Sequence, residues 1–152
     1  MLPLGLETMR IYLDVCCLNR PFDDQGQIRV KLEAEAKLAI QNRIAEGKYD
    51  LVWSYILDFE NQVNPFAERR SAIQKWKRRA ARDISETAEI LNEAGRIEKK
   101  GIKPKDALHI SCAVAGGCKY FLTTDDNILK VLNKYDKISV VSPIDFIVRS
   151  EK

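Results

Sequence analysis

Short apolar runs alternate along this chain with longer segments in which apolar residues repeat every three or four positions. The short runs are rich in β-branched and aromatic residues, a composition that favours strands. They predict four strands, at residues 10–13, 49–55, 119–123 and 138–141. The longer segments predict helices at residues 28–46, near residue 60, and at 67–82, 83–101, 104–115, 128–133 and 144–148.

Individual residues mark the ends of several predicted helices. Asp83 with Glu86 three positions later resembles a capping box, which predicts that a new helix starts there and stops at Gly101. Pro104 suits the first position of the following helix, because its missing N–H costs no hydrogen bond there. Asp106 therefore falls in the first turn of that helix.

The alternation of strands and helices predicts an α/β fold, with a central, mainly parallel sheet of four to five strands flanked by helices. The chain has 152 residues, which is close to the commonest size of one domain. We expect a single domain over residues 10–152, preceded by a possible flexible extension over residues 1–9. No internal repeat, low-complexity tract or linker interrupts it.

The overall charge is mild, but the basic residues are unevenly distributed. The chain carries 25 basic and 22 acidic residues, and a net charge of +3 does not by itself predict nucleic-acid binding. For the first basic stretch, solvation of a helix face and RNA contact are equally open interpretations. The second stretch leads into Asp106, which favours phosphate docking there. The first stretch comprises Arg69, Arg70, Lys75, Lys77, Arg78, Arg79 and Arg82, and the second Arg96, Lys99, Lys100, Lys103 and Lys105.

The cysteines and the lengths of the apolar runs indicate where in the cell the protein is expected. The four cysteines lie in or beside apolar segments, and their spacing does not match the usual zinc patterns. We expect them to act as small buried hydrophobes in a reducing, cytoplasmic setting. No apolar run approaches the roughly 20 residues that a membrane-spanning helix needs. We therefore expect no contact with membranes.

Four carboxylates fall where a predicted strand ends or a predicted helix begins: Asp14, Glu60, Asp106 and Asp125. The carboxyl ends of parallel strands lie along one edge of a sheet, so these residues are expected to converge there. Four acids in one cleft repel each other unless a cation neutralises them, and a hard divalent ion prefers such oxygen ligands. Each acid alone could equally be a helix cap or a turn residue.

The four motifs, in this order, resemble those of the PIN domain family. The likeness rests on LDVCCLNRPF, SYILDFE, KDALHISCA and FLTTDD, and it runs from about residue 10 to residue 143. PIN domains are Mg²⁺- or Mn²⁺-dependent ribonucleases with a three-layer fold, and many are VapC-type toxins of toxin–antitoxin pairs. The resemblance therefore implies an endoribonuclease that takes Mg²⁺ or Mn²⁺, a homodimer, an RNA substrate and an antitoxin partner.

The resemblance also assigns roles to single residues. The family's four catalytic acids fall on Asp14, Glu60, Asp106 and Asp125, with Asp126 as a neighbour that could assist as a metal ligand. We expect Asp14 and Asp106 to be direct ligands, while Glu60 and Asp125 bind a second ion or orient water. Independently of the resemblance, Lys103 and Lys105 are candidates for binding substrate because they lead into Asp106, and Arg20 is a further candidate.

Two positions depart from the family pattern. Cys16 stands where many members carry Ser, Thr or Asn, and a thiol is a weaker donor. His109 occupies a position that is usually apolar, and we expect a partly exposed helix histidine there. Trp76 falls on an apolar stripe with Ile73 and Ala80, so we expect it to pack in the core.

The same residues leave two alternative functions open and exclude a third class. A PIN-like fold without catalysis, serving as an RNA- or protein-binding module, remains an alternative because of Cys16. A phosphatase that forms an aspartyl phosphate on Asp14 is a further alternative, although the D-x-D motif of the dehalogenase-like enzymes is broken by Cys16. Nucleotide-binding folds are excluded in their common forms, since neither G-x-x-x-x-G-K-S/T nor G-x-G-x-x-G occurs.

Overall fold

Five parallel strands form the central sheet of the protein, whose computed structural model describes residues 8–18 and 27–150. Along the sheet the order is β3-β2-β1-β4-β5, and every neighbouring pair is parallel. The predicted α/β class with a parallel sheet is therefore confirmed. The strands are β1 (Met9–Leu13), β2 (Tyr49–Ser54), β3 (Arg82–Ile84), β4 (Tyr120–Leu122) and β5 (Ser139–Val141).

The helices follow the strands in the alternating order that the sequence predicts. The predicted start at Pro104 is confirmed, because it is the first residue of its helix. Gly47 has a φ of 79°, a left-handed conformation that ends the first long helix. The helices are α1 (Val15–Leu18), α2 (Ile28–Ala45), α3 (Tyr55–Gln62), α4 (Ala67–Lys77), α5 (Ala88–Glu98), α6 (Pro104–Ala115), α7 (Asp126–Val131) and α8 (Pro143–Ser150).

The segment between α4 and α5 is where the sequence prediction was wrong. A helix was expected to run to Arg82, with a capping box at Asp83 starting the next one. Instead, the backbone N–H of Ala81 donates to Leu51 O at 2.8 Å, and the following three residues pair with β2 as strand β3. Thr87 caps α5, since its hydroxyl accepts from Ile90 N at 3.2 Å. Pairing with the sheet therefore outweighs the local helical pattern.

The core lies on both faces of the sheet. Ile11, Tyr12 and Leu13, three consecutive residues of β1, are each at most 2% exposed, so neither face is open to solvent. The Tyr12 ring stacks on Phe121 of β4, with centroids 5.4 Å apart. Around the sheet, α5 packs on α6 and α2 packs on α8. Trp76 is partly buried against this core, as predicted.

The strand order creates a crevice at the carboxyl edge of the sheet. The chain passes from β1 to β2 on one side, and β4 joins β1 on the other. The loops that leave β1 and β4 therefore diverge, which is the arrangement that forms ligand sites in open α/β sheets. Gly116, after α6, allows that helix to approach β2, because a Cβ there would lie 2.7 Å from Val52 Cγ1.

Some predictions concern parts of the chain outside the described residues. The extension predicted over residues 1–9 falls there except for Thr8 and Met9, and Met9 already belongs to β1. Arg20, a candidate for binding substrate, also lies outside the described residues. Within residues 8–18 and 27–150, no helix is both long enough and apolar enough to cross a bilayer. The extent of the domain remains a prediction.

Candidate functional site

Asp14 occupies the centre of the carboxyl edge. It directly follows β1, and its backbone N–H donates to Leu122 O at 3.0 Å, which continues the pairing with β4. Its carbonyl oxygen accepts from Cys17 N at 2.8 Å, so the chain turns at once into α1. Asp14 is therefore fixed by backbone bonds at the point where the β1 and β4 connections diverge.

The Asp14 carboxyl group is almost completely removed from water, with the residue 5% exposed. Its Oδ1 accepts from Val15 N at 2.8 Å, and its Oδ2 accepts from the Thr123 hydroxyl at 2.9 Å. Burial raises the pKa of Asp14, the nearby Glu60 charge raises it further, and these donors and His109 act in the opposite direction. A buried carboxylate with a raised pKa is a common feature of functional sites.

Asp106 shows that the four acids share one electrostatic environment. It lies in the first turn of α6, which begins at the same edge of the sheet. Burial raises the pKa of Asp106, and the charges of Asp14, Asp125 and Glu60 raise it further. Each of the other three predicted acids therefore lies near enough to disfavour ionisation of Asp106.

Asp125 is the N-cap of α7. Its Oδ1 accepts from Asn127 N at 2.9 Å and from Ile128 N at 3.1 Å. Its own backbone N–H donates to the Thr123 hydroxyl at 3.1 Å. Thr123, which is fully buried, thus connects Asp125 to Asp14. Sequence reasoning missed Thr123, although its place two residues before Asp125 was a usable signal.

Asp126 makes a different set of contacts from the four acids. Both of its carboxylate oxygens accept from Arg29 of α2, at 2.6 and 2.9 Å. The Arg29 guanidinium holds the pKa of Asp126 below its usual range. This ion pair is exposed, and its contacts give no support to the prediction that Asp126 is a metal ligand.

Glu60 is held in place by His109. The sequence predicted that this histidine would be partly exposed, and that prediction is wrong. His109 is 0% exposed, and its Nε2 lies 2.8 Å from Glu60 Oε1. Its Nδ1 lies 2.6 Å from the Tyr12 hydroxyl, which in turn lies 2.6 Å from Ser54 Oγ. Because both ring nitrogens have partners, the imidazole can be buried at little cost. Burial acts to raise the pKa of Glu60, but the hydrogen bond from His109 and the Lys105 charge outweigh it and lower the pKa.

Cys16 lies among the polar atoms that surround Asp14. Its Sγ is 3.7 Å from Asp14 Oδ2 and accepts from Thr124 N at 3.4 Å. The thiol contact to Asp14 is long, and the shorter side-chain bond to Asp14 comes from the Thr123 hydroxyl. The other three cysteines are buried and all four are free.

Two of the predicted basic residues lie beside the acids. Lys103 and Lys105 line an open cleft of about 500 Å³ together with Glu60, Pro104 and Asp106.

Two residues of the first basic stretch make hydrogen bonds to other parts of the protein. Lys77 donates to Asp58 Oδ2 at 3.0 Å, and Arg70 donates to Asn64 O at 2.7 Å.

The chemistry of the donor set suits a hard divalent cation, since every predicted ligand atom is a carboxylate oxygen. The pKa values of Asp14 and Asp106 are raised because burial and neighbouring acids disfavour their charged forms. A bound cation would offset that cost. Across residues 8–18 and 27–150, however, no three His, Cys, Asp or Glu side chains are grouped closely enough to hold an ion. The four acids therefore lie at the same edge of the sheet and influence each other's ionisation. To bind one ion together, their carboxylates would have to move closer to each other.

Comparison with known proteins agrees with this fold. The sequence model of the family described as PIN domain matches residues 11–135. No curated protein sequence matches the chain. Among solved structures, the chain is similar to one in the crystal structure of VapBC2 from Rickettsia felis bound to a DNA fragment from their promoter, with a TM-score of 0.57 and 14% identity. The alignment covers 87% of this chain and 97% of that one. At this identity the likeness shows a shared fold and nothing more.

Proposed function

This chain belongs to the PIN domain family, whose members are generally nucleases, and on that premise we propose that it is an endoribonuclease dependent on Mg²⁺ or Mn²⁺. The observation that carries the proposal is the electrostatic coupling of four acids at the carboxyl edge. The pKa of Asp106 is raised by burial and then by Asp14, Asp125 and Glu60, which come from three other parts of the sequence. Acids that repel each other at one edge of a fold mark a candidate functional site, and a bound cation would neutralise their repulsion.

The proposed roles follow from how each acid is held. Asp14 and Asp106 are the direct ligands. Asp14 is fixed by Val15 N and Thr123, and Asp106 lies at a helix N-terminus, whose dipole favours the charged form. Asp125 and Glu60 bind a second ion or orient the attacking water. When bound, a divalent ion lowers the pKa of water and neutralises charge that develops on the phosphate.

Glu60 is also suited to orienting water. Its Oε1 is engaged with His109 Nε2, which leaves Oε2 to accept a hydrogen bond from water. The lowered pKa of Glu60 favours the ionised carboxylate, which is the better hydrogen-bond acceptor. Because acids alone can supply these roles, no Ser–His or Cys–His arrangement is required.

Lys103 and Lys105 are proposed to bind phosphates of the RNA. They line the same cleft as Glu60 and Asp106, and Lys105 Nζ lies 5.9 Å from the centroid of the exposed Phe59 ring. An ammonium group next to an acidic centre can hold the flanking phosphate while the scissile phosphate reaches the acids. Arg20 is a third proposed substrate-binding residue.

The proposed partners rest on the comparisons. The similar solved structure is of VapBC2 bound to promoter DNA, which supports a toxin role for this chain with an antitoxin partner. Homodimer formation is proposed from the family resemblance. Four free cysteines support a reducing, cytoplasmic location.

One observation favours a second candidate, a PIN-like module that binds RNA or protein without cleaving. In the part of the chain that the structure describes, no three potential ligands are grouped around one point. An inert module of this kind would bind no divalent ion tightly. The two candidates therefore differ in a property that can be measured directly.

The test is cleavage of defined RNAs with Mn²⁺ by the wild type and by Asp14→Asn and Asp106→Asn. Each substitution removes a charge while keeping the size of the side chain, and we expect loss of Mn²⁺-dependent cleavage in both. The matched control is Glu98→Gln, an acid-to-amide change at the exposed end of α5, which should cleave as the wild type does. Undiminished cleavage by both Asp variants would refute the assignment.

A further inference from the structure

We propose that His109 is a positioning residue that sets the affinity of the acidic site for its metal, by fixing the Glu60 carboxylate through a buried hydrogen-bonded relay to Tyr12 and Ser54. The inference rests on the proposed function above and extends it to a residue outside the carboxylate set. It is carried by three short contacts among four side chains, rather than by the protonation state of any of them.

The relay runs from the end of β2 to the acidic edge. Ser54 Oγ lies 2.6 Å from Tyr12 Oη, Tyr12 Oη lies 2.6 Å from His109 Nδ1, and His109 Nε2 lies 2.8 Å from Glu60 Oε1. One set of proton positions satisfies every member. Ser54 donates to Tyr12, Tyr12 donates to His109 Nδ1, and His109 donates from Nε2 to the Glu60 carboxylate.

Burial makes the relay rigid. Tyr12, Ser54 and His109 are all 0% exposed, so water cannot replace a missing partner. Tyr12 belongs to the central strand β1, and Ser54 ends β2 and caps α3 by accepting from Leu57 N. The helix that carries Glu60 is therefore tied to the sheet at its N-cap, and the Glu60 side chain is tied to the same sheet through His109.

Helix α6 places the relay next to a proposed direct ligand. Asp106 and His109 are three residues apart on α6, so they lie on the same side of the helix, one turn from each other. Asp106 belongs to the acidic edge, and His109 holds Glu60 to that edge from α3. With Oε1 held, Oε2 is the oxygen that remains for an ion or for water.

A purely structural role would be met by any hydrogen-bond acceptor at the second ring nitrogen. Tyr12 alone satisfies one ring nitrogen, and a leucine would fill the same space without any polar partner. Instead, the second nitrogen reaches an acid of the proposed site whose side chain is 16% exposed. Partners that orient carboxylate ligands in this way typically change metal affinity by about 10- to 100-fold when removed.

The experiment measures the dissociation constant for Mn²⁺ by titrating the full chain and following free Mn²⁺ by electron paramagnetic resonance. His109→Leu removes both hydrogen bonds and should weaken binding by about 10- to 100-fold. His109→Gln retains an N–H donor near the position of Nε2 and should recover most of that loss. Tyr12→Phe breaks the relay without touching His109 and should weaken binding by about fivefold, the value of one neutral hydrogen bond.

Ser111→Ala is the matched control on the same helix. It removes a buried hydrogen bond, from Ser111 Oγ to Ile90 O at 2.7 Å, that has no connection to the acids. It should lower the melting temperature and leave the Mn²⁺ affinity unchanged. A merely structural role for His109 predicts that the leucine variant behaves in the same way.

The outcomes separate this inference from the proposed function. If the wild type binds Mn²⁺ and His109→Leu and Tyr12→Phe bind it equally well, the relay has no role and the inference is overturned while the nuclease proposal stands. If the wild type binds no Mn²⁺, both are overturned. If His109→Leu does not fold, weaker binding by Tyr12→Phe supports the inference, and wild-type affinity in that variant overturns it.

Discussion

Replacing Thr123 by valine removes one hydroxyl that holds two of the acids. Thr123 is fully buried, and its Oγ1 donates to Asp14 Oδ2 at 2.9 Å while accepting from Asp125 N at 3.1 Å. Valine has nearly the same shape, so packing should be preserved. The variant therefore isolates the two hydrogen bonds.

The loss of stability can be worked from those two bonds. A hydrogen bond to a charged group contributes about 1.5–3 kcal/mol, and the N–H of Asp125 is left without its partner at a further cost of about 1 kcal/mol. The extra methyl group of valine offsets part of this by burying apolar surface. We expect a net destabilisation of about 2–3 kcal/mol at pH 7.5. For a chain of this length, that lowers the melting temperature by roughly 4–12 °C.

The effect should depend on pH because the bond favours the charged form of Asp14. Its loss raises the pKa of Asp14 above the value that burial already gives it. The folded variant then binds a proton at a higher pH than the folded wild type, so its stability gains more as the pH falls. The difference between the two proteins is complete above the pKa of Asp14 in the variant and shrinks as the pH falls through it.

The assay is urea denaturation, followed by tryptophan fluorescence, at pH 7.5 and at a series of lower pH values. Trp53 is fully buried, so unfolding exposes it to water. Thr87→Val is the matched control, since it removes the cap bond to Ile90 N and should cost about 1 kcal/mol at every pH. The reasoning is refuted if Thr123→Val is no more destabilised than Thr87→Val, or if its destabilisation does not shrink as the pH falls.

Three further predictions concern charged side chains among the described residues. Asp106→Asn should stabilise the metal-free protein at neutral pH by less than about 1 kcal/mol, because the raised pKa of Asp106 reflects burial first and then repulsion by the other acids, and solvent weakens both effects; a lower urea midpoint than that of the wild type would contradict this. Lys103→Ala and Lys105→Ala should each reduce the slope of log K against log salt for single-stranded RNA by about 0.7, measured without metal, while Lys134→Ala, at an exposed lysine outside both basic stretches, serves as the control; unchanged slopes would count against phosphate contacts. Glu93 accepts from Tyr135, Lys137 and Arg96, and its pKa is lowered to about 2, so Glu93→Gln should destabilise the protein by up to about 3 kcal/mol above pH 4.5. That difference should disappear as the pH falls toward 2, and a difference independent of pH would exclude the ion pairs as its cause.

The general arrangement was predictable because it follows from repeating patterns. Apolar runs alternating with helical periodicity specify a parallel sheet, and the topology of such a sheet brings strand ends to one edge. Asp14 and Asp125 follow buried strands, and Asp106 follows Pro104 into a helix, so each could be placed from local sequence. The matching family and the five parallel strands confirm the predicted family and fold class.

The missed features depend on contacts between distant residues. Strand β3 has three residues, two of them exposed, so no apolar alternation marks it, and only pairing with β2 defines it. The burial of His109 depends on Tyr12 and Glu60, which are 97 and 49 residues away. The bond from Thr123 to Asp14 spans 109 residues. Local periodicity carries no information about such partners.

The most direct test of the central claim is to locate Mn²⁺ by anomalous diffraction from crystals of the wild-type protein grown with the ion. The account predicts a peak at the carboxyl edge of the sheet, bonded to oxygens of both Asp14 and Asp106. No peak at that edge, in crystals where Mn²⁺ is present at millimolar concentration, would contradict the account. A peak held by other residues would contradict it equally.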